Sequence, residues 1–207
     1  MAANESSLPA WFDDQRRIFA DSYLASDDPY QQSGFAGTPE RWKAGRFVIL
    51  DGVPRDGEFL DIGCANGLLL ESLIGWSAGR GITLVPHGID FVPELVEFAR
   101  NRFPGHRENF TVANAFDWRP SRRYDYVHTL LEYVPREHQT DYLQRLLDEA
   151  VSPGGRLIVS SYGSKSQNQR PLDIDLHLQL LGFHTTGCGN GMEDDGWVAT
   201  RTAWIDR

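Results

Sequence analysis

One segment of the chain concentrates residues able to hold a ligand: Phe59-Leu60-Asp61-Ile62-Gly63-Cys64-Ala65-Asn66-Gly67-Leu68. An apolar run ends in a carboxylate, and small residues follow before a helical pattern begins. Small residues at a strand-to-helix turn let a ligand approach the backbone and the helix N–H groups. Asp61, at the carboxyl end of the run, can receive an ammonium group. The dinucleotide fingerprint asks for glycines at 63, 65 and 68, and Ala65 and Leu68 set an NAD reading back. Twenty-nine residues after Asp61, a second apolar run ends in Gly88-Ile89-Asp90, and Phe91-Val92-Pro93-Glu94 opens a helix. An acid there can accept both hydroxyls of a ribose. A third run leads into Val112-Ala113-Asn114-Ala115-Phe116-Asp117, an amide and an aromatic ring where a base can stack. A fourth ends near Leu130-Leu131-Glu132-Tyr133-Val134-Pro135.

Each of these residues also has a plain structural reading. Asp61 can cap the turn that follows it, and Asp90 the helix at Pro93. Cys64 fits a small turn position better than a reactive thiol. His128 reads as a sheet residue rather than a base, and Glu132, Tyr162 and His184 as structural. Only the register of the whole set decides between the two kinds of reading.

The elements that would position these residues follow from periodicity and punctuation. Helices are expected over 9–24 and, from an N-cap at Thr38 with Pro39 at N1, over 39–51, joined by a polar loop. Strands are expected over 58–62, 85–90, 110–114, 124–130 and 156–161, with helices over 67–78, 93–103 and 135–151 between them. This alternation signals a parallel sheet with crossover helices. Ser152-Pro153-Gly154-Gly155 reads as a helix stop and turn. A helix over 171–181 and strands over 183–188 and 197–205 complete the pattern. The last two strands form a hairpin across Glu193-Asp194-Asp195-Gly196, which makes the final strand antiparallel to its parallel neighbours.

Composition removes several function classes. A chain of 207 residues suits one domain, and 41% hydrophobic with 24% charged residues is a globular balance. The net charge is -9; residues 1–30 and 171–207 carry -4 each, leaving -1 for the middle. No basic face for phosphates is expected, so nucleic acid is not the expected substrate. No apolar run reaches the roughly 18–20 residues of a membrane span. Met1–Ser7 lacks the pattern of a secretory signal, and two cysteines make no disulfide scaffold; the expected location is cytoplasmic. The acidic residues and histidines show no metal-ligand spacing, and no metal is expected.

Taken in order, the motifs resemble those of the class I S-adenosylmethionine (SAM) dependent methyltransferases, over roughly residues 58–205. The family's first motif, (D/E)-x-G-x-G-x-G, is matched by Asp61, Gly63 and Gly67, with Ala65 in place of the middle glycine. The resemblance implies a seven-stranded, mostly parallel Rossmann-like α/β sheet with an antiparallel seventh strand and helices on both faces. It also implies SAM as cofactor and S-adenosylhomocysteine as product. Asp61 and the backbone of Gly63, Cys64 and Ala65 would hold the methionine moiety, Asp90 the ribose, and Phe91, Asn114, Ala115 and Phe116 the adenine. Gly67 and Leu130 complete the expected cofactor set. Tyr133 is the expected catalytic or acceptor-facing residue. No D/N-P-P-Y/F tetrapeptide and no Pro-Cys pair is present, which turns the expectation to a small-molecule acceptor. The rival is a non-catalytic SAM- or nucleotide-binding module of the same fold. Residues 1–52 are expected to form a helical cap or lid on a methyltransferase unit at 53–207. The cover over the acceptor would come from that cap, from residues 163–170 or from a partner subunit, and the oligomeric state stays open.

Overall fold

The computed structural model describes residues 8–207, so the Met1–Ser7 reading lies outside the described residues. Two helices lead the chain, α1 (Leu8–Tyr23) and α2 (Pro39–Arg46), the second capped by Thr38, whose side chain accepts from the Arg41 N–H. A 3-10 turn over Phe47–Gly52 follows, so the expected single helix to residue 51 is broken after Arg46. The main body then runs β1 (Gly57–Ile62), α3 (Leu68–Ala78), β2 (Leu84–Asp90), α4 (Pro93–Arg102), β3 (Phe110–Val112) and β4 (Tyr124–Leu130). It continues through α5 (Gln139–Arg145), which ends in a π turn, then β5 (Val151–Tyr162), α6 (Ile174–Leu180), β6 (Gly187–Met192) and β7 (Val198–Asp206).

The strands form one seven-stranded sheet in the order β3-β2-β1-β4-β5-β7-β6. The first five pair in parallel, and β7 runs antiparallel to both β5 and β6. Alternation along the strands divides the core between the two faces. Leu60, Ile62, Val127, Leu157 and Val159 pack with Tyr142, Leu143 and Leu178 on one side. Phe59, Tyr126, Ile158 and Trp204 pack with Leu70, Leu73 and Val96 on the other. From β1 the chain order turns outward in both directions, so β1 and β4 flank the switch point. Open α/β sheets bind ligands in the crevice outside their carboxyl ends there.

Two expected elements are corrected. Strand 6 lies at Gly187–Met192 rather than 183–188. Its glycines hide it from a propensity reading, and packing requires them. A Cβ at Gly189 would come within 2.7 Å of Val48, and one at Gly191 within 2.5 Å of the Gly45 carbonyl oxygen. The glycines seat α2 and its 3-10 extension on the sheet edge. Residues 152–155 do not separate helix from strand; β5 begins at Val151 and bulges there. Tyr124 faces Val151 and Tyr126 faces Arg156, with Gly154 at a φ of 75° inside the bulge.

Candidate functional site

Between β1 and α3 the backbone turns sharply, with Gly63 and Gly67 at a φ of 77° and Ala65 at 45°. Ala65 is thus an L-residue in the left-handed region, a conformation costing roughly 1–2 kcal/mol. It is held there by its N–H, which donates to Asp90 Oδ2 at 2.9 Å. Asp90 Oδ1 accepts the Val92 N–H at 2.9 Å, so this carboxylate joins the first turn to the start of α4. An ionised carboxylate has about four acceptor positions, so it can still take two more donors. Burial pushes the Asp90 pKa up to about 6, against the pull of its backbone donors.

Asp61 is 2% exposed and paired in register with His128. His128 Nδ1 lies 2.8 Å from Asp61 Oδ1, and its Nε2 lies 3.0 Å from Ser160 Oγ. Ser160 Oγ in turn lies 2.9 Å from Thr202 Oγ1. A carboxylate only accepts, which puts the proton of a neutral ring on Nδ1 and leaves Nε2 to accept from the serine. The four side chains form a relay across β1, β4, β5 and β7 beneath the crevice.

Over these strand ends lies a cavity of about 310 Å³. It is lined by Asp61, Gly63, Cys64, Ala65, Asp90, Phe91, Asn114, Ala115, Leu130 and Tyr133. Ten of the twelve expected residues thus meet in one place. Gly67 and Phe116 do not line it. Gly67 sits at the N-cap of α3, where a Cβ would lie 3.2 Å from that of Ala99; it allows a helix–helix approach. The Phe116 ring packs against Phe12 and His138, at 5.2 and 5.1 Å between centroids. Asn114 lies beyond β3, which ends at Val112, and its Oδ1 accepts the Phe116 N–H at 3.0 Å.

The other wall carries residues the motifs do not mark. Glu132 lines the cavity, exposed to it, and the protein packed around that crevice raises its pKa by desolvation. Tyr133 donates a long hydrogen bond, 3.5 Å, to the Gly63 carbonyl oxygen. Its ring occupies the space a Cβ at Gly63 would need, and burial pushes its pKa well above the usual tyrosine value. Cys64 is buried and its thiol is likewise pushed up, so it is a packing residue of the turn. Asn66, wholly buried, donates to the Pro29 carbonyl at 2.9 Å and accepts from Ser33 Oγ at 2.6 Å. It fastens the N-terminal segment to the ligand-facing turn. From α1, Trp11, Phe12, Phe19 and Tyr23 face the cavity, while no residue of that helix is buried.

A family model described as a methyltransferase domain matches residues 38–183, most of the chain. The chain belongs to the methyltransferase-domain family. Its sheet order and antiparallel β7 give this methyltransferase domain the class I, Rossmann-like fold. The 1,6-didemethyltoxoflavin-N1-methyltransferase of Burkholderia thailandensis, solved with 1,6-didemethyltoxoflavin and S-adenosylhomocysteine, superposes with a TM-score of 0.68 at 15% identity, over 100% of this chain and 93% of that one. An N-methyltransferase from Bradyrhizobium japonicum, solved with S-adenosylhomocysteine, gives 0.65 at 15% identity over 93% and 97%. Among curated proteins, a tRNA U34 carboxymethyltransferase from Alteromonas mediterranea is 26% identical over 123 residues. That match takes in 58% of this chain but only 37% of the relative, so the methyltransferase domain spans little more than a third of that protein. Among the described residues, no helix is long and apolar enough to cross a membrane.

Proposed function

We propose that this protein is a SAM-dependent methyltransferase acting on a small-molecule acceptor. The observation that carries the reading is the convergence of Asp61, the Gly63–Ala65 backbone and Asp90 on one cavity at the sheet's switch point. The donor set fits the cofactor. Asp61 offers a carboxylate to the methionine ammonium, Asp90 has acceptor positions left for two ribose hydroxyls, and Phe91 and Ala115 offer apolar surface to a base. When bound, SAM supplies a methyl group on a sulfonium, already activated for in-line displacement. The chain's own part is then to align the acceptor and exclude water. Glu132, with its raised pKa, is the group suited to take a proton from the acceptor. Tyr133 stays protonated and serves as a donor or an aromatic wall. A chain of net charge -9, with the excess at both ends, favours a small acceptor over a polyanion. The decisive experiment is S-adenosylhomocysteine formation from SAM across a panel of amines, phenols and carboxylates. Binding of SAM without turnover on any of them would favour a non-catalytic module.

Tyr133→Phe removes the hydroxyl and keeps the ring. Among the described residues the hydroxyl's partner is the long contact to Gly63, so stability should change by less than about 1 kcal/mol. Turnover is expected to fall about tenfold, with S-adenosylhomocysteine affinity within about twofold of wild type. Wild-type turnover in Tyr133→Ala would remove this residue from the site.

In this reading α1 is a lid. Its aromatic face is turned to the cavity without being buried, whereas Pro29 and Ser33 are tied down by Asn66. The movable part is therefore the helix, hinged near residues 24–28, rather than the whole 27–37 loop. Arg16 and Arg17, exposed on α1, provide trypsin sites that open only when the helix frays or swings out. S-adenosylhomocysteine should slow that cleavage on the order of tenfold by stabilising the closed form. Equal rates with and without ligand would reject the lid.

A further inference from the structure

Four carboxylates line the cavity, and three of them have partners within the protein. Asp61 accepts from the His128 ring, and Asp90 from the Ala65 and Val92 N–H groups. Glu193 accepts from Arg41 at 2.8 Å and from Lys165 at 3.1 Å, and Lys165 also pairs with Asp195. Glu132 is the fourth. Among the described residues its side chain has neither a hydrogen bond nor an ion pair, and desolvation alone acts on its pKa. It stands two residues past the end of β4, the strand beside β1 and Asp61. Three phenols line the same space. Tyr23 comes from α1, and its hydroxyl lies where a Cβ at Gly34 would sit. Tyr133 covers Gly63, and Tyr162 ends β5 with a buried hydroxyl that has no hydrogen-bond partner. Burial pushes all three hydroxyl pKa values up, the charge of Glu132 adds to it, and the phenols stay neutral.

A desolvated carboxylate without a donor is a cost, and a ligand that brings N–H or O–H groups removes it. A charged donor does so best. A protonated amine fits on three counts: its N–H groups meet the carboxylate, phenol oxygens can accept the rest, and tyrosine rings attract its charge. A carboxylate-bearing group at this point would meet Glu132 with like charge. The cavity's cations are committed elsewhere. Arg41 and Lys165 are neutralised at the rim by Glu193 and Asp195. Arg46 lies with Asp61 at the other end, where the charges of both reach the Tyr162 hydroxyl. Together they offer one group to each charge of a zwitterionic methionine end.

We propose that Glu132, walled by Tyr23, Tyr133 and Tyr162, seats a protonated amine, so that the methyl acceptor is a primary or secondary amine. The inference deepens the methyltransferase reading and rests on it. Glu132 takes one proton from the ammonium, which frees the nitrogen lone pair. That pair forms the bond to the methyl carbon as the carbon–sulfur bond breaks, whose electrons return to sulfur. Positive charge thus passes from sulfur to nitrogen, and the proton on Glu132 leaves to solvent. The phenol rings then face an N-methylammonium product.

The test first titrates S-adenosylhomocysteine into the full chain, which fills the Asp61 end. Benzylamine, benzyl alcohol and benzoate are then titrated calorimetrically into the saturated complex. Wild type should bind benzylamine roughly tenfold or more tightly than either of the others. Glu132→Gln should abolish that preference at an unchanged melting temperature, because the carboxylate has no partner among the described residues to lose. Glu132→Asp, which keeps the charge but withdraws it by one methylene, should reduce the preference several-fold. With SAM supplied, amines and not phenols or carboxylates should give S-adenosylhomocysteine. Four results overturn the proposal: no amine preference in saturated wild type, a preference that survives in folded Glu132→Gln, an undiminished one in Glu132→Asp should the glutamine variant fail to fold, or methylation of a phenol or carboxylate in place of amines. If the preference survives in Glu132→Gln while SAM, but not S-adenosylhomocysteine, binds more weakly, the carboxylate serves the sulfonium instead. If Glu193→Gln rather than Glu132→Gln removes the preference, the amine sits at the rim and the proposal likewise fails. Failure of the methyltransferase reading looks different: S-adenosylhomocysteine does not bind in the first titration, and this inference falls with it.

Discussion

Asp90→Ala is expected to lose cofactor affinity and stability together. Its carboxylate accepts the Ala65 and Val92 N–H groups at 2.9 Å each, and both residues are buried. Truncation leaves two buried donors without partners, at about 1–3 kcal/mol each. The ribose loses its acceptor as well, and a loss of about 1.5–3 kcal/mol in all implies a roughly tenfold to 150-fold drop in affinity. From sequence alone the same variant is expected to bind weakly without unfolding; the structure adds a loss of stability because Asp90 also pins the turn. Urea unfolding and calorimetric titration of S-adenosylhomocysteine measure the two losses separately. Lost stability with unchanged affinity would reduce Asp90 to a structural tie.

The same carboxylate gives a pH dependence. Hydroxyl donors favour its ionised form, so affinity should fall as pH drops through about 6, the value to which burial raises it. Its effect on folding has the opposite sense. The folded pKa lies above the unfolded value of 3.8, so the folded state binds the proton more tightly between the two values. Stability from this group is therefore present at low pH and is lost as pH rises through that window. Asp90→Asn should flatten both profiles. A flat affinity profile between pH 5 and 7 in wild type would contradict the role.

What was legible in the sequence was whatever local chemistry fixes. Apolar runs ending in Asp61, Asp90 and Leu130 marked strand ends, and parallel crossovers bring such ends to one edge of a sheet. That places ten of the expected residues around one cavity without any knowledge of packing. The misses come from tertiary contacts. Strand 6 was displaced because its glycines answer to α2 lying on them, not to β-propensity. Phe116 is expected from sequence to meet a base, and its ring packs against Phe12 on the cavity wall. Glu132 reads as structural from sequence, and periodicity does not say which way a 3-10 turn aims its side chains; the structure turns it to the cavity.

His128 is the residue whose loss should cost most stability. From sequence it reads as a sheet residue rather than a base. The structure gives it a third role, as the support of Asp61. Asp61 and His128 are directly opposed on β1 and β4, and Ser160 and Thr202 on β5 and β7, so one face of the sheet carries the whole relay. His128→Ala would leave Asp61 Oδ1 buried without its 2.8 Å donor and Ser160 without its acceptor. Leaving a buried carboxylate and a buried hydroxyl without partners costs about 1–3 kcal/mol each, more for the charged group, a large share of the roughly 5–15 kcal/mol that holds a domain folded. Ser160→Ala, at the far end of the ring, should cost only about 1 kcal/mol. The two variants separate support from filling. If His128 orients Asp61, a folded His128→Gln should bind S-adenosylhomocysteine more weakly than Ser160→Ala does, because only the former disturbs the carboxylate itself. A denaturant midpoint for His128→Ala within about 1 kcal/mol of wild type would mean that Asp61 is held by the turn alone. The relay would then be packing, and the ammonium acceptor at the head of β1 would owe its position to the Gly63–Ala65 backbone.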